Sequence, residues 1–304
     1  MHSNEPQQEV LERARSRTVI ITGAGGGIGA ATAREFNNNG SKVVLADIPA
    51  LESTAKEIIA SFAYPDNAVF IAVDIRDWQQ MQSLFKQTIK IFGSVDTVVA
   101  NAGVMESEHV LDMENVDSEG NLRESEEASR VIDINIKGTL NSTYLAIDNI
   151  TAIDGYNRLT TSIASGHAPY AIIFHHEEQT TIDRFSRIYI WLAAKKYGIS
   201  ITAVAPFFTP TAITSGLSER WKAAGLDANT PEMVGKVILQ SALDENNSGS
   251  CLLVAGKFLR ELELTRGDLI PQWLGGDVKE FMDTAFNVIQ ETGGYALPKI
   301  RAKV

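Results

Sequence analysis

The stretch Thr18-Val19-Ile20-Ile21-Thr22 runs straight into Gly23-Ala24-Gly25-Gly26-Gly27-Ile28-Gly29, and helical apolar spacing begins at Ile28. A short apolar strand, a glycine-rich turn and a helix in that order place backbone amides and a helix N-terminus at one point. Gly23 permits the tight turn, while Gly27 and Gly29 let backbone and helix approach a pyrophosphate whose charge the helix end stabilises. The next apolar run, Lys42 to Asp47, ends in a carboxylate eighteen residues after Gly29. There it can accept the ribose hydroxyls of NAD. Asp47 would repel a 2′-phosphate, and neither Gly26 nor Ile48 offers a cation, so NAD(H) is favoured over NADP(H).

Outward from this turn the chain alternates short apolar runs with helical periodicity, the pattern of βαβ units feeding a parallel sheet. The spacing predicts strands over Thr18 to Thr22, Lys42 to Asp47, Ala68 to Asp74, Val95 to Asn101, Leu159 to Ile163, Ile199 to Ala205 and Cys251 to Ala255. Predicted helices are Ile28 to Asn39, Leu51 to Phe62, Trp78 to Phe92, Ala128 to Asn149, Phe174 to Tyr197 and Pro231 to Leu243. Seven strands fill one α/β domain over residues 18–260, behind a polar N-terminal tail of residues 1–17. Beyond it, residues 261–304 are expected to form an extension that packs back through Trp273, Leu274, Phe281, Met282 and Phe286.

With 44% hydrophobic and 21% charged residues, the composition is that of a globular chain rather than a disordered or coiled-coil one. The net charge of −11 disfavours phosphate backbones and anionic membranes, so neither nucleic acid nor membrane is an expected partner. Between Glu106 and Glu127 nine acidic residues and Arg123 give 1 − 9 = −8, leaving only −3 elsewhere. That stretch shows neither strand alternation nor a clean helical period and reads as an inserted surface loop. Cys251 is the single cysteine, so no intrachain disulfide forms. No apolar leader opens the sequence and no run approaches the roughly 20 apolar residues of a membrane span, so a cytoplasmic location is expected.

Taken with further motifs, the glycine turn resembles that of the short-chain dehydrogenase/reductase family, whose Thr-Gly-x-x-x-Gly-x-Gly is matched by Thr22 to Gly29. Val73-Asp74-Ile75 is similar to the family's adenine-contacting segment, Asn101-Ala102-Gly103 to its Asn-Ala-Gly motif, and Asn135 to the helix Asn of its catalytic tetrad. Thr211 keeps the position that usually meets the carboxamide. Weaker similarity to relatives of 15-hydroxyprostaglandin dehydrogenase lies in Val254-Ala255-Gly256-Lys257 and Pro271-Gln272-Trp273-Leu274. The resemblance implies a doubly wound Rossmann-like domain with a seven-stranded parallel sheet, usually dimeric or tetrameric. It implies hydride exchange between nicotinamide and an alcohol or carbonyl. The cofactor residues it implies are Gly23, Gly27, Ile28, Gly29, Asp47, Asp74, Ile75, Asn101, Ala102, Gly103 and Thr211.

The catalytic half departs from that pattern. Ser162 fills the place of the family's Ser, but thirteen residues on His175 stands where the Tyr belongs and Gln179 where the Lys belongs. Imidazole titrates near neutrality and can act as an acid, though it reaches less far than a phenol. Gln179 can bond ribose hydroxyls but brings no charge. Phe207 replaces a Gly after Pro206 and would reshape the nicotinamide pocket, lined by Val104, His167, Tyr170, Phe207, Phe208 and residues 209–230. In the run from His175 to Glu178 successive helix residues point about 100° apart, so no metal site is expected. Glu177 and Glu178 stand where small residues commonly pack on a partner subunit, and would weaken a homodimer. Asn135, Ser162, His175 and Gln179 thus form an altered catalytic set acting on a small hydrophobic alcohol or ketone. Two alternatives stay open: a nucleotide-binding pseudoenzyme, and a non-redox cyclase or isomerase using the same pocket.

Overall fold

A computed structural model describes residues 11–149, 157–162 and 199–291 of the chain. Their strands are β1 (Thr18–Thr22), β2 (Lys42–Asp47), β3 (Ala68–Ala72), β4 (Thr97–Val99), β5 (Asn157–Ser162), β6 (Ile199–Pro206), β7 (Cys251–Ala255) and β8 (Phe258–Glu261). The helices are α1 (Gly27–Asn38), α2 (Glu52–Ala60), α3 (Trp78–Phe92), α4 (Glu126–Ile132), α5 (Thr139–Asn149), α6 (Ser218–Ala223), α7 (Pro231–Leu243), α8 (Glu263–Trp273) and α9 (Gly276–Glu291). The strand order is β3-β2-β1-β4-β5-β6-β7-β8, which reverses between β1 and β4. Val19 pairs in parallel with Val43 on one side and with Thr97 on the other. At that switch point the carboxyl ends of β1 and β4 open a crevice, the usual ligand position of open α/β sheets.

Successive strand residues serve opposite layers. Val19, Ile21, Val43 and Leu45 pack with Phe36 of α1 and Ile238 and Leu239 of α7. Ile20, Val44 and Ala46 pack with Met81, Leu84 and Phe85 of α3 and Leu145 and Ala146 of α5. Cover on both faces explains why these strands read as unbroken apolar runs. The boundary residues are set locally. Asp77 caps α3 by accepting from the amides of Gln79 and Gln80, and Gly93 closes it with a φ of 94°. Thr230 caps α7, with Pro231 behind it.

Several expected elements are redrawn. Among the described residues the sheet has eight strands, not seven, because Gly256 adopts a φ of 54° and the two-residue turn Gly256-Lys257 sends Phe258–Glu261 back beside β7. Only an antiparallel neighbour can follow so short a turn. β4 stops at Val99 instead of Asn101, since the Asn101 amide donates to the Thr22 hydroxyl rather than to a ladder partner. The helix expected from Ala128 begins at Glu126, where Ser125 Oγ accepts from the Ala128 amide at 3.1 Å. It passes through a π-helical segment, Asp133–Gly138, before α5. The helix expected over Phe174 to Tyr197 lies outside the described residues.

The acidic segment is a surface loop with internal order. Val116 and Leu122 form an antiparallel bridge around a turn in which Asp117 Oδ1 accepts from the amides of Glu119 and Asn121. After Arg260 the chain divides into a second compact unit, Glu261–Val304. Within it the Glu261 carboxylate accepts from the amides of Glu263, Leu264 and Thr265 and starts α8, and Gly275, with a φ of 95°, turns the chain into α9.

Candidate nucleotide and substrate site

β1 delivers the chain into a turn whose glycines are demanded by contact. A Cβ on Gly23 would lie 2.7 Å from Ala102 Cα, and one on Gly29 would lie 2.1 Å from the Gly23 carbonyl oxygen. Gly27 has a φ of 53°, and a Cβ there would approach Thr211 Cγ2 at 3.2 Å. Gly26 differs: nothing lies within 4 Å of its Cβ position, so the turn is open on that side. α1 starts behind it with no side-chain cap and no acidic residue in its first turn. Its first amides are free of side-chain acceptors and its dipole is unopposed, the donor set an anion needs.

Asp47 closes the opposite side of this turn. Its Oδ2 accepts from the Gly25 amide and its Oδ1 from the Ile48 amide, both at 2.8 Å. A side chain on Gly25 would collide with that carboxylate at 2.9 Å. Ile28 is buried in the core, so only its backbone faces the turn.

The end of β4 clamps the turn from below. Asn101 Nδ2 donates to the Thr22 and Gly23 carbonyls at 3.0 and 3.2 Å. In return Thr22 Oγ1 accepts from the amides of Asn101 and Ala102, each at 3.1 Å. The Asn-Ala-Gly residues thus hold the two strand ends at the switch point in register, with half-buried Gly103 leading out. Asn101 Oδ1 is buried without a hydrogen-bond partner among the described residues.

At the adenine end expected from the sequence, Asp74 is already engaged. Arg76 donates from its backbone and its guanidinium to both carboxylate oxygens. Those hydrogen bonds from Arg76 hold the Asp74 carboxyl below its ordinary range, against the opposing effect of burial. Ile75 is buried, and its side chain fills the space left by Gly138, where a Cβ would meet Ile75 Cδ1 at 2.3 Å. Asn141 Nδ2 donates to the Ile75 carbonyl at 2.9 Å. The helix through Gly138 is thereby seated on this segment.

On the substrate side, both polar groups of Asn135 are spent on one residue. Oδ1 accepts from the Val104 amide and Nδ2 donates to the Val104 carbonyl, each at 2.9 Å. Thr211 reaches the glycine turn because Thr214 holds it: Thr214 Oγ1 accepts from the Thr211 amide at 2.9 Å and donates to the Thr209 carbonyl at 2.7 Å. Ser162 ends β5, where its backbone pairs with Val204. His175 and Gln179, like His167 and Tyr170, lie outside the described residues.

Phe208, expected to line the pocket, is instead 1% exposed and stacks on Trp221 with ring centroids 4.4 Å apart. Phe207 remains partly exposed and meets the same indole edge-on at 5.6 Å. Asn229, to which the sequence motifs assign no role, is 1% exposed. It donates to the Val254 carbonyl at 2.8 Å and to Thr209 Oγ1 at 3.1 Å, and accepts from the Gly256 amide at 2.7 Å. The Asn229-Thr230-Pro231 run that announces α7 was its only local signal.

A strand, an open glycine turn, an uncapped helix end and a fixed carboxylate at a sheet switch point define a nucleotide-binding α/β domain of the Rossmann type. The short chain dehydrogenase family model matches residues 17–177, and the chain belongs to that oxidoreductase family, whose members bind nicotinamide cofactors and small-molecule substrates. It is similar to the short-chain dehydrogenase/reductase prx4 of Penicillium roqueforti, at 30% identity over 90% of this chain and 85% of the relative. Short-chain dehydrogenase reductase 5 of Arabidopsis thaliana is 28% identical over 67% of this chain and 74% of its own length. Among solved structures, a 3-ketoacyl-(acyl-carrier-protein) reductase from Brucella melitensis complexed with NADH shares the fold. Its TM-score is 0.65 at 20% identity, over 80% of this chain and 98% of that one. No helix among the described residues is long and apolar enough to cross a membrane.

Proposed function

We propose that the protein binds NAD(H) in preference to NADP(H) and exchanges hydride with a small hydrophobic alcohol or ketone, with His175 and Gln179 in place of the family's Tyr and Lys. The carrying observation is the Asp47 carboxylate, anchored by the Gly25 and Ile48 amides at the mouth of the glycine turn. A fixed carboxylate there accepts ribose hydroxyls and repels a 2′-phosphate. The uncapped α1 amides and the open face of Gly26 suit the pyrophosphate. Bound nicotinamide would supply or accept the hydride. The chain's own part is to hold the ligand and to move a proton. Asn135 acts through the Val104 backbone, Thr211 is presented to the cofactor turn, Ser162 takes the part of the family's Ser, and His175 is the acid–base group. General acid–base catalysis contributes about 10² to 10⁴ in rate, or roughly 3 to 5 kcal/mol of barrier.

The exchange of Tyr and Lys for His175 and Gln179 favours a second reading, a family member that binds nucleotide without turnover. NADH binding and ketone reduction by the wild type, by His175→Ala and by the double variant His175→Tyr/Gln179→Lys separate the two. Turnover in the wild type that His175→Ala abolishes supports hydride transfer. Binding without turnover, with activity emerging in the double variant, supports the second reading. Absence of NADH binding overturns both. Within the first reading, Asp47→Ala should raise the Kd for NADH by about tenfold and narrow its margin over NADPH, a loss of ~1.4 kcal/mol.

A further inference from the structure

Glu127 and Arg130 have no place in the cofactor cradle, yet they make a dense set of contacts beside it. Arg130 donates from Nη2 to the Met105 carbonyl at 2.8 Å and to Glu127 Oε1 at 2.6 Å, and from Nε to Glu127 Oε2 at 2.8 Å. Glu127 Oε1 also accepts from the Ser107 amide and from Ser107 Oγ. Asn135, five residues after Arg130, holds both backbone groups of Val104. Five residues is the hydrogen-bond spacing of a π turn, and the π segment Asp133–Gly138 begins between the two. One helix edge therefore grips the backbone at 104, 105 and 107, the residues that leave the Asn101-Ala102-Gly103 clamp and enter the acidic segment.

We infer that Glu127 and Arg130 are positioning residues, a strap that fixes the start of the acidic segment to its end and holds the segment as a charged cover beside the nucleotide site. The strap deepens the functional reading above and rests on it for the identity of the neighbouring site. Its physical point is distance. Exposed charges act within about 8 Å at physiological ionic strength, so a net charge of −8 between Glu106 and Glu127 affects a nearby ligand only if the segment is held in place. Strapped down, it selects uncharged substrates over carboxylates; released, its field averages out. A guanidinium suits the task because it serves the Met105 carbonyl and two carboxylate oxygens at once, which a Lys ammonium does less well.

The test uses amide hydrogen exchange and cleavage by a Glu-specific protease on the full chain, neither of which needs cofactor. In the wild type the Ser107 amide should exchange about tenfold or more slowly than amides of residues 109–113, the protection expected of a hydrogen bond to a charged acceptor. Arg130→Ala and Glu127→Ala should each remove that protection and speed cleavage after Glu106 and Glu108 by about tenfold. Arg130→Lys should restore part of it at unchanged Tm. The kcat/KM ratio for a neutral ketone over its carboxylate analogue should fall in Arg130→Ala and recover in Arg130→Lys. Free exchange at Ser107 in the wild type overturns the strap, and this needs no variant to fold. Unchanged exchange and cleavage in both Ala variants overturn it as well. Loss of NADH binding in the wild type would strike the functional reading instead, and leaves the strap judged on exchange.

Discussion

The glycine turn and the acidic segment meet at the end of β4, where Ala102 touches the first and Val104 opens the second, but they are held by different forces. In the turn, backbone packs on backbone: a Cβ on Gly29 has only 2.1 Å to the Gly23 carbonyl, and one on Gly23 only 2.7 Å to Ala102 Cα. In the segment, side chains hold backbone: Asn135 on Val104, Arg130 on Met105 and Glu127 on Ser107. Close backbone approach has no slack, because repulsion rises steeply and nothing rotates away. Polar straps on a surface can be exchanged one contact at a time. The glycine turn is thus fixed by close packing, and the entry to the acidic segment by hydrogen bonds that single substitutions can remove.

The sharpest break of this contrast is Gly29→Ala, expected to destabilise by on the order of 3 kcal/mol and to abolish NADH binding. Gly26→Ala in the same turn should stay within about 0.5 kcal/mol, because its extended φ of −176° accepts any residue and its Cβ position is empty. Denaturant unfolding of both variants checks the pair; equal losses would refute packing as the cause. Next in size is Asn229→Ala, which strands the buried Gly256 amide and leaves the Val254 carbonyl with the Phe207 amide as its remaining donor, and should cost about 1 to 3 kcal/mol by the same measurement.

Acid should part the two regions. The Arg130 guanidinium, with help from Ser107, pulls the Glu127 carboxyl from its usual 4.5 down to about 2. A depressed folded-state pKa gives stabilisation that is complete above about pH 4.5 and lost as pH falls through about 2. The Ser107 amide shift in NMR should therefore titrate near pH 2 and stay flat around 4.5. Glu127→Gln should remove the step. The smallest effect belongs to Arg76→Ala, which deletes an ion pair with Asp74 whose side chains are 44% and 30% exposed. About 0.5 kcal/mol is expected in a thermal melt, diminishing with added salt. Freed of Arg76, the Asp74 carboxyl should return toward its ordinary range.

Much of this arrangement was legible in local sequence. The strands β1, β2 and β7 and the helices α3 and α7 carry their own signals, as continuous apolar runs or as Asp77 and Thr230 caps before helical periods. Asp47 could be placed from its distance to the turn, since one βαβ unit has little freedom in length. Contacts between residues far apart in the chain were not legible. Thr22 accepting from Asn101, Asn229 bridging Thr209, Val254 and Gly256, and Phe208 turning from the pocket onto Trp221 all join elements that meet only in the folded sheet. The acidic run was visible as charge. Its hairpin turn on Asp117 and its strap on Arg130 were hidden, because any exposed carboxylate reads alike until its partner is known.

By itself the sequence determined a parallel α/β chain with a glycine-rich nucleotide turn and a carboxylate at the end of the next strand, because these follow from short-range periodicity and residue chemistry. The tertiary structure alone decided that Asn135 and Asp74 are committed to neighbours, that an eighth strand extends the sheet, and that the charged segment is fastened beside the site. Those outcomes depend on which distant groups a fold brings within hydrogen-bond reach, a quantity that residue order carries only through the packed chain.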